Sequence, residues 1–118
     1  MTHEEKKVAK IVEELTMFFF ALGADHIESD ISRQEEHVTI SFCSNYLADY
    51  EDRIGSLEKY LNEPKNEGIE DIYWELAGSG DPGETSQLLL IGMMIDRAEI
   101  TKEDGFVRLK LYKDLQEM

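Results

Sequence analysis

The 118-residue sequence contains one cysteine, Cys43, and few basic residues. A single cysteine cannot form an internal disulfide, so a packed core has to hold the fold together. Only 12 lysines and arginines stand against 26 aspartates and glutamates, which gives a net charge of −14. Because this charge repels phosphate backbones and anionic lipids, we expect no direct binding to nucleic acid and no docking on membranes. A basic protein partner is compatible with it.

Long apolar runs are also lacking. No stretch approaches the ~18 apolar residues of a membrane-spanning helix. The charged start at residues 1–7 lacks the basic, apolar and small-residue regions of a signal peptide. We therefore predict a cytoplasmic protein. Hydrophobic residues make up 42% of the chain, which is sufficient for the core of a single domain over residues 1–118.

The first third of the chain shows a helical pattern followed by a strand pattern. Apolar residues at three- and four-residue spacing predict a helix over residues 4–22, ended by Gly23. Apolar and polar residues then alternate over 37–43, which indicates a half-buried strand. Ile27 to Ile31 would form its partner, with a polar turn at 32–36. The sequence thus predicts a helix and a strand pair.

The remaining chain predicts three helices and a second hairpin. Helical spacing covers residues 47–61 and 69–76, and a glycine-rich loop follows at 77–83. Residues 84–95 are apolar on all sides and predict a buried helix, and alternation over 98–111 predicts two strands. The order favours an α+β fold, a two-layer sandwich with a mixed, mostly antiparallel sheet covered on one face by helices.

Acidic residues are concentrated over residues 47–85, which contain eleven acids and three bases. An ordinary solvated surface accounts for such a run, and so would a docking surface for a basic partner. In the docking hypothesis, aromatic residues would anchor the partner, because tryptophan and tyrosine are common among interface hot spots. The candidate partner-binding residues are Tyr73 and Trp74, with Glu70, Asp71 and Glu75 beside them. Trp74 could equally be a partly buried packing residue.

Residues that commonly carry chemistry are sparse. The three histidines have no zinc-ligand spacing, and no base is placed to activate Cys43, so we predict no metal site and a buried structural thiol. A Gly-x-Gly-x-x-Gly pattern at 78–83 precedes a predicted helix and could cradle phosphate. No strand precedes the pattern, however, and Asp81 and Glu84 would repel phosphate. We therefore favour a flexible loop.

Three stretches resemble motifs of one known family. Residues 13–24, Glu-Glu-Leu-Thr-Met-Phe-Phe-Phe-Ala-Leu-Gly-Ala, look like an E-L-x-x-N-A-x-x-H-G-A helix, and 38–46 looks like the strand that ends in D-x-G. Residues 83–111 are similar to a G-L-G-L-S-I-V helix and a final strand pair. The family is the ATP-binding domain shared by gyrase, histidine kinases and anti-sigma-factor kinases, often called GHKL. The resemblance implies a histidine-kinase-like ATPase fold.

The resemblance also implies a degenerate nucleotide site. The asparagine that holds Mg²⁺ in the family corresponds to Phe18, which has no oxygen ligand. The adenine-binding aspartate corresponds to Ser44, and the glycine after it to Tyr46. The family's catalytic glutamate could correspond to Glu14, but without bound nucleotide it would catalyse nothing. The degenerate pocket positions are therefore Glu14, Phe18, Ser44 and Tyr46, with Gly80, Gly83 and Thr85 in the phosphate loop. We expect no cofactor and no metal, and core packing by residues 18–20.

These observations lead to three functional hypotheses. The first is a non-catalytic regulatory or interaction protein on a degenerate histidine-kinase-like ATP-binding scaffold, of the bacterial signalling or partner-switching type. It would bind a protein partner, and a homodimer through the first helix stays open. The second is a nucleotide-binding kinase or ATPase with a drifted site, which would use ATP and Mg²⁺. The third is an acidic antitoxin, immunity protein or nucleic-acid mimic of an unrelated α+β fold.

Overall fold

The protein is an α+β domain in which helices cover one face of a four-stranded sheet. The structure, a computed structural model, describes residues 2–55, 57–62 and 91–115. The elements in chain order are α1 (His3–Ala21), β1 (Ile27–Arg33), β2 (His37–Asn45), a 3₁₀ turn (Ala48–Tyr50), α2 (Glu51–Gly55), α3 (Leu57–Asn62), a helical turn at 91–94, β3 (Arg97–Glu103) and β4 (Phe106–Asp114). The strand order is β1-β2-β4-β3, and every pairing between these strands is antiparallel. The predicted α+β sandwich is confirmed.

Helix α1 starts with a capping box. The Thr2 side chain accepts a hydrogen bond from the Glu5 backbone, and the Glu5 side chain accepts one from the Thr2 backbone, which satisfies two amides at the start of the helix. The helix buries one stripe of apolar side chains against the sheet. Its buried hydrophobic residues are Val8, Ile11, Leu15, Phe18 and Phe19.

Phe20 does not belong to the core, although core packing was expected for all of residues 18–20. Its side chain is 62% exposed, whereas Phe18 is 1% exposed. Three consecutive helical residues point in directions about 100° apart, because an α-helix has 3.6 residues per turn. They cannot all face one sheet, and Phe20 is the one that faces solvent.

The two central strands supply the sheet side of the core. On β2, Val38, Ile40 and Phe42 are buried, and on β4 the buried residues are Val107, Leu109 and Leu111. The register places Phe42 opposite Leu109 and Ile40 opposite Leu111, so the two sets share one face. The alternating residues of these strands lie on the other face, which we call the open face. The alternation predicted from the sequence is confirmed.

The prediction of a buried thiol at Cys43 is wrong, and the predicted helix over 47–61 starts later than expected. Cys43 is only half-buried, because it alternates with the buried Phe42 and Ser44 and therefore lies on the open face. Leu47 was included in the helical spacing over 47–61, but it precedes the 3₁₀ turn and is 52% exposed. The helix prediction itself holds for α2 and α3.

Several sequence predictions lie outside the described residues. They are the helix over 69–76, the glycine-rich loop at 77–83 and the first part of the helix over 84–95. Residues 91–94 are helical, and Ile91 and Ile95 are buried in the core. The final hairpin turns at Asp104 and Gly105, whose φ angles of 49° and 80° fit a two-residue turn of the kind that joins adjacent antiparallel strands.

Candidate functional site

Two of the candidate nucleotide-site positions lie on α1, and both have structural partners. The Phe18 ring meets the Phe19 ring edge-on, with centroids 5.1 Å apart, and the Phe19 ring stacks on Phe42 of β2 at 5.4 Å. The Glu14 carboxylate is nearly buried and pairs with the Lys10 ammonium at 2.8 Å. Phe18 is therefore packed in the hydrophobic core beside Phe19, whose ring contacts the sheet, and the Glu14 carboxylate is neutralised by its own helix.

The other two positions lie at the end of β2. Ser44 is fully buried on the helix-facing side, and its hydroxyl donates a hydrogen bond to the Asn45 carbonyl at 2.8 Å. A serine in this position can satisfy its own polar group through the neighbouring backbone. Its hydroxyl proton is thus used inside the protein.

Asn45, between Ser44 and Tyr46, joins the end of β2 to the loop before β1. Its Oδ1 accepts hydrogen bonds from the backbone amides of Asp25 and His26, at 3.0 and 3.1 Å. Its Nδ2 donates to the Asp25 carboxylate. The side chain therefore closes a loop between two elements that are about 20 residues apart in sequence. Sequence reasoning missed this residue, because spacing and periodicity carry no signal for such a long-range bond.

Tyr46 belongs to a polar cluster with Glu51 of α2 and Lys102 of β3. The cluster links the end of β2 and the start of α2 to β3. The Tyr46 hydroxyl bonds to the Glu51 carboxylate, and this bond with a negative group raises the pKa of Tyr46 to about 12. The Tyr46 bond, together with the Lys102 ammonium 2.9 Å from Oε1, lowers the pKa of Glu51. The depression beside this cluster has a volume of about 250 Å³. That is below the ~300–1,000 Å³ of typical ligand pockets.

The four described positions thus have roles in packing or in hydrogen bonding. The remaining sequence-predicted site residues lie outside the described part of the chain. These are the phosphate-loop positions Gly80, Gly83 and Thr85, and the partner-binding candidates Glu70, Asp71, Tyr73, Trp74 and Glu75. Within the described ranges, no three histidine, cysteine, aspartate or glutamate residues are grouped so that they could hold a metal ion.

The open face carries a feature that the sequence analysis missed. Arg108 and Lys110 of β4 lie there beside Ser41 and Cys43 of β2, in a shallow groove of about 820 Å³. The signal was present in the alternation of residues 106–114, which places the two basic side chains on the same side of the strand. Charged residues are common on a solvated sheet face, so this spacing alone does not indicate a binding site.

No helix in the part of the chain that the structure describes has the length and apolarity needed to cross a membrane. No protein-family model matches the chain, and no curated protein or solved structure matches it.

Proposed function

We propose that this chain is a non-catalytic regulatory or interaction protein, built on a degenerate histidine-kinase-like ATP-binding scaffold and of the bacterial signalling or partner-switching type. The observation that carries the proposal is the burial of Phe18, which stands where the resembled family has its Mg²⁺-binding asparagine. A phenyl ring offers no oxygen to a hard cation, and Mg²⁺ requires oxygen ligands.

The end of β2 adds support. In the resembled family this segment binds adenine through an aspartate and makes room for it with a glycine. Here the corresponding Ser44 hydroxyl is bonded to a backbone carbonyl, and the corresponding Tyr46 side chain is bonded to Glu51. A nucleotide would have to displace both interactions and would gain no charged partner in return. A domain of this fold that binds no nucleotide would act by binding another protein, which is the role proposed here.

The proposal predicts that ATP with Mg²⁺ leaves the stability of the protein unchanged. A ligand present at 100 times its Kd adds about 2.7 kcal/mol to the free energy of unfolding, which raises the Tm of a domain of this size by several degrees. Thermal unfolding should therefore be measured with millimolar ATP and Mg²⁺, with ATP and EDTA, and without nucleotide. The three curves should coincide.

A Tyr46→Gly variant adds a second test, because it places a glycine at the end of β2, as in the resembled family, and removes the bond to Glu51. We expect it to be less stable than the parent protein and equally unresponsive to ATP, since Phe18 still denies Mg²⁺ a ligand. A Mg²⁺-dependent rise in the Tm of the parent protein would contradict the proposal and favour a nucleotide-binding kinase or ATPase.

A further inference from the structure

The open face of the sheet has a regular charge pattern across its strands. In one row, Asp30 of β1 pairs with Ser41 of β2, which pairs with Lys110 of β4. In the adjacent row, Glu28 pairs with Cys43, which pairs with Arg108. Each row therefore contains an acid, a small uncharged residue and a base. Because neighbouring strands lie ~4.8 Å apart, the acidic and basic strands are separated by ~10 Å.

The small side chains of β2 leave a trough between the acidic side chains of β1 and the basic side chains of β4. Ser41 and Cys43 form its floor, and the groove of about 820 Å³ follows these residues. This volume falls within the range of small-molecule sites. The groove is lined by Glu28 and Asp30 of β1 on one side and by Arg108 and Lys110 of β4 on the other, with Glu99 of β3 beyond the cations. A ligand lying across the floor would meet the β1 carboxylates at one end and the β4 cations at the other.

The two cations of the groove are not neutralised by the nearest acid. Glu99 of β3 lies directly opposite Lys110 in the register. Its carboxylate instead contacts the Arg97 guanidinium at 3.6 Å and accepts a hydrogen bond from the Tyr112 hydroxyl at 3.3 Å, while Arg97 stacks on the Tyr112 ring at 4.2 Å. Within the described residues, no carboxylate lies within 4.0 Å of the Arg108 or Lys110 side chain.

This lack of ion pairs is notable in a chain with 26 acids and 12 bases. Several other bases of the described chain do have a carboxylate partner, among them Lys10, Arg33, Lys102 and Lys113. On the acidic side of the groove, Glu28 has only a 3.3 Å contact with the imidazole of His26. The Lys110 ammonium lies 5.7 Å from the centre of the Tyr112 ring. Arg108, Lys110 and Asp30 thus have no ion-pair partner among the described residues, and the charges of opposite sign lie on either side of an uncharged floor.

We propose that this groove binds an elongated zwitterionic small molecule. An oxyanion at one end of the ligand would contact Arg108 and Lys110, where a guanidinium offers paired donors to a carboxylate. An ammonium at the other end would contact Asp30 and Glu28. A simple anion fits the groove less well, because Asp30 and Glu28 repel it, and a simple cation is repelled by Arg108 and Lys110. The site lies on the opposite face of the sheet from Phe18 and Ser44, so it does not depend on the proposed function.

Three matched probes test the proposal. 6-Aminohexanoate carries a carboxylate and an ammonium at opposite ends of one chain, hexanoate keeps only the anion, and hexylamine keeps only the cation. Binding of each should be followed by the shifts of backbone amide resonances in β1, β2 and β4. We expect 6-aminohexanoate to bind at least about tenfold more tightly than either single-charge probe, because only it gains both ionic contacts.

Two double variants test which side chains contact each end of the ligand. Arg108→Gln with Lys110→Gln removes the oxyanion contacts, and Glu28→Gln with Asp30→Asn removes the ammonium contacts. Each should reduce 6-aminohexanoate binding to the level of the single-charge probes. All four side chains are exposed, so we expect the variants to fold. Lys59→Gln, an exposed change on α3, is the control and should leave binding unchanged.

Every other outcome overturns the proposal. Equal affinity for hexanoate and 6-aminohexanoate would reduce the site to a simple anion site. Binding that persists in either double variant, or resonance shifts confined to another surface, would place the ligand elsewhere. The absence of shifts with all three probes would show that the groove is an ordinary solvated sheet face.

Discussion

Gly23 links α1 to β1 in a backbone conformation that other residues rarely adopt. Its φ angle is +82°, in the left-handed region, and a Cβ placed on it would lie 2.5 Å from the side chain of Leu47. The Leu47 amide also donates a hydrogen bond to the Leu22 carbonyl. At this one residue, backbone conformation and a close side-chain approach both require glycine.

A pair of glycine-to-alanine variants tests this requirement. Gly23→Ala should lower the free energy of unfolding by about 1–3 kcal/mol, because alanine is strained at a positive φ and collides with Leu47. Gly55→Ala, in α2 with open space around the new Cβ, should instead raise stability by up to about 1 kcal/mol. Urea unfolding measures both values. If the two variants changed stability equally, Gly23 would not have the special role described here.

Ion pairs attach the N-terminal end of α1 to the sheet. The Glu4 carboxylate lies 2.7 Å from the nearly buried ammonium of Lys113 on β4, and the Glu5 carboxylate lies 3.3 Å from the Arg33 side chain on β1. The hydrogen bond from Lys113 is the main cause of the lowered pKa of Glu4. One turn of the helix is thus tied to two strands of the sheet.

The Glu4 pair makes part of the stability depend on pH. Because the folded pKa of Glu4 lies below its ordinary value of 4.5, the pair contributes fully above 4.5, and its contribution is lost as pH falls through the lowered pKa. Lys113→Met should cost about 1 kcal/mol at pH 7, and the difference from the parent protein should shrink toward pH 3. Urea unfolding at several pH values measures this difference.

An exposed control separates the Glu4 pair from a general charge effect. Lys59→Met on α3 removes the same charge from an exposed position, and we expect it to change stability by less than about 0.5 kcal/mol at either pH. A loss for Lys113→Met that is independent of pH would mean that lysine packing, rather than its pairing with Glu4, stabilises this end of the sheet.

At the scale of the whole molecule, the helix and sheet layers could be predicted from the sequence, but the side-chain hydrogen bonds that connect the elements could not. The three- and four-residue spacing of α1 and the alternation of β2 and β4 each identify a buried face from local sequence. The bonds of Asn45 to Asp25 and of Tyr46 to Glu51 depend on how the elements meet in space. Short-range patterns carry no information about them.

The mistakes at single residues have a different cause. The helical spacing includes Phe18 and Phe19 but not Phe20, and core packing by all of residues 18–20 was expected from the resemblance. The alternation of β2 places Cys43 on the face opposite Phe42, whereas the buried thiol was predicted from the lack of an activating base. The resemblance to an ATP-binding domain indicated the candidate site positions on α1 and at the end of β2, and the structure shows what their side chains contact.

Phe18 packs in the core at the position that corresponds, in the resembled family, to the Mg²⁺-binding asparagine. The most direct test compares the free energies of unfolding of Phe18→Asn and Phe20→Asn in urea. The two variants make the same substitution in the same helix, and phenylalanine and asparagine have similar helix propensities. Phe18 is buried in the core and Phe20 is exposed, so burial is the main difference between them.

We predict that Phe18→Asn loses about 3–5 kcal/mol, because it removes a core ring and buries an amide, and that Phe20→Asn loses less than about 1 kcal/mol. Equal losses for the two variants, or a Phe18→Asn protein that keeps its stability and gains Mg²⁺-dependent ATP binding, would contradict the account.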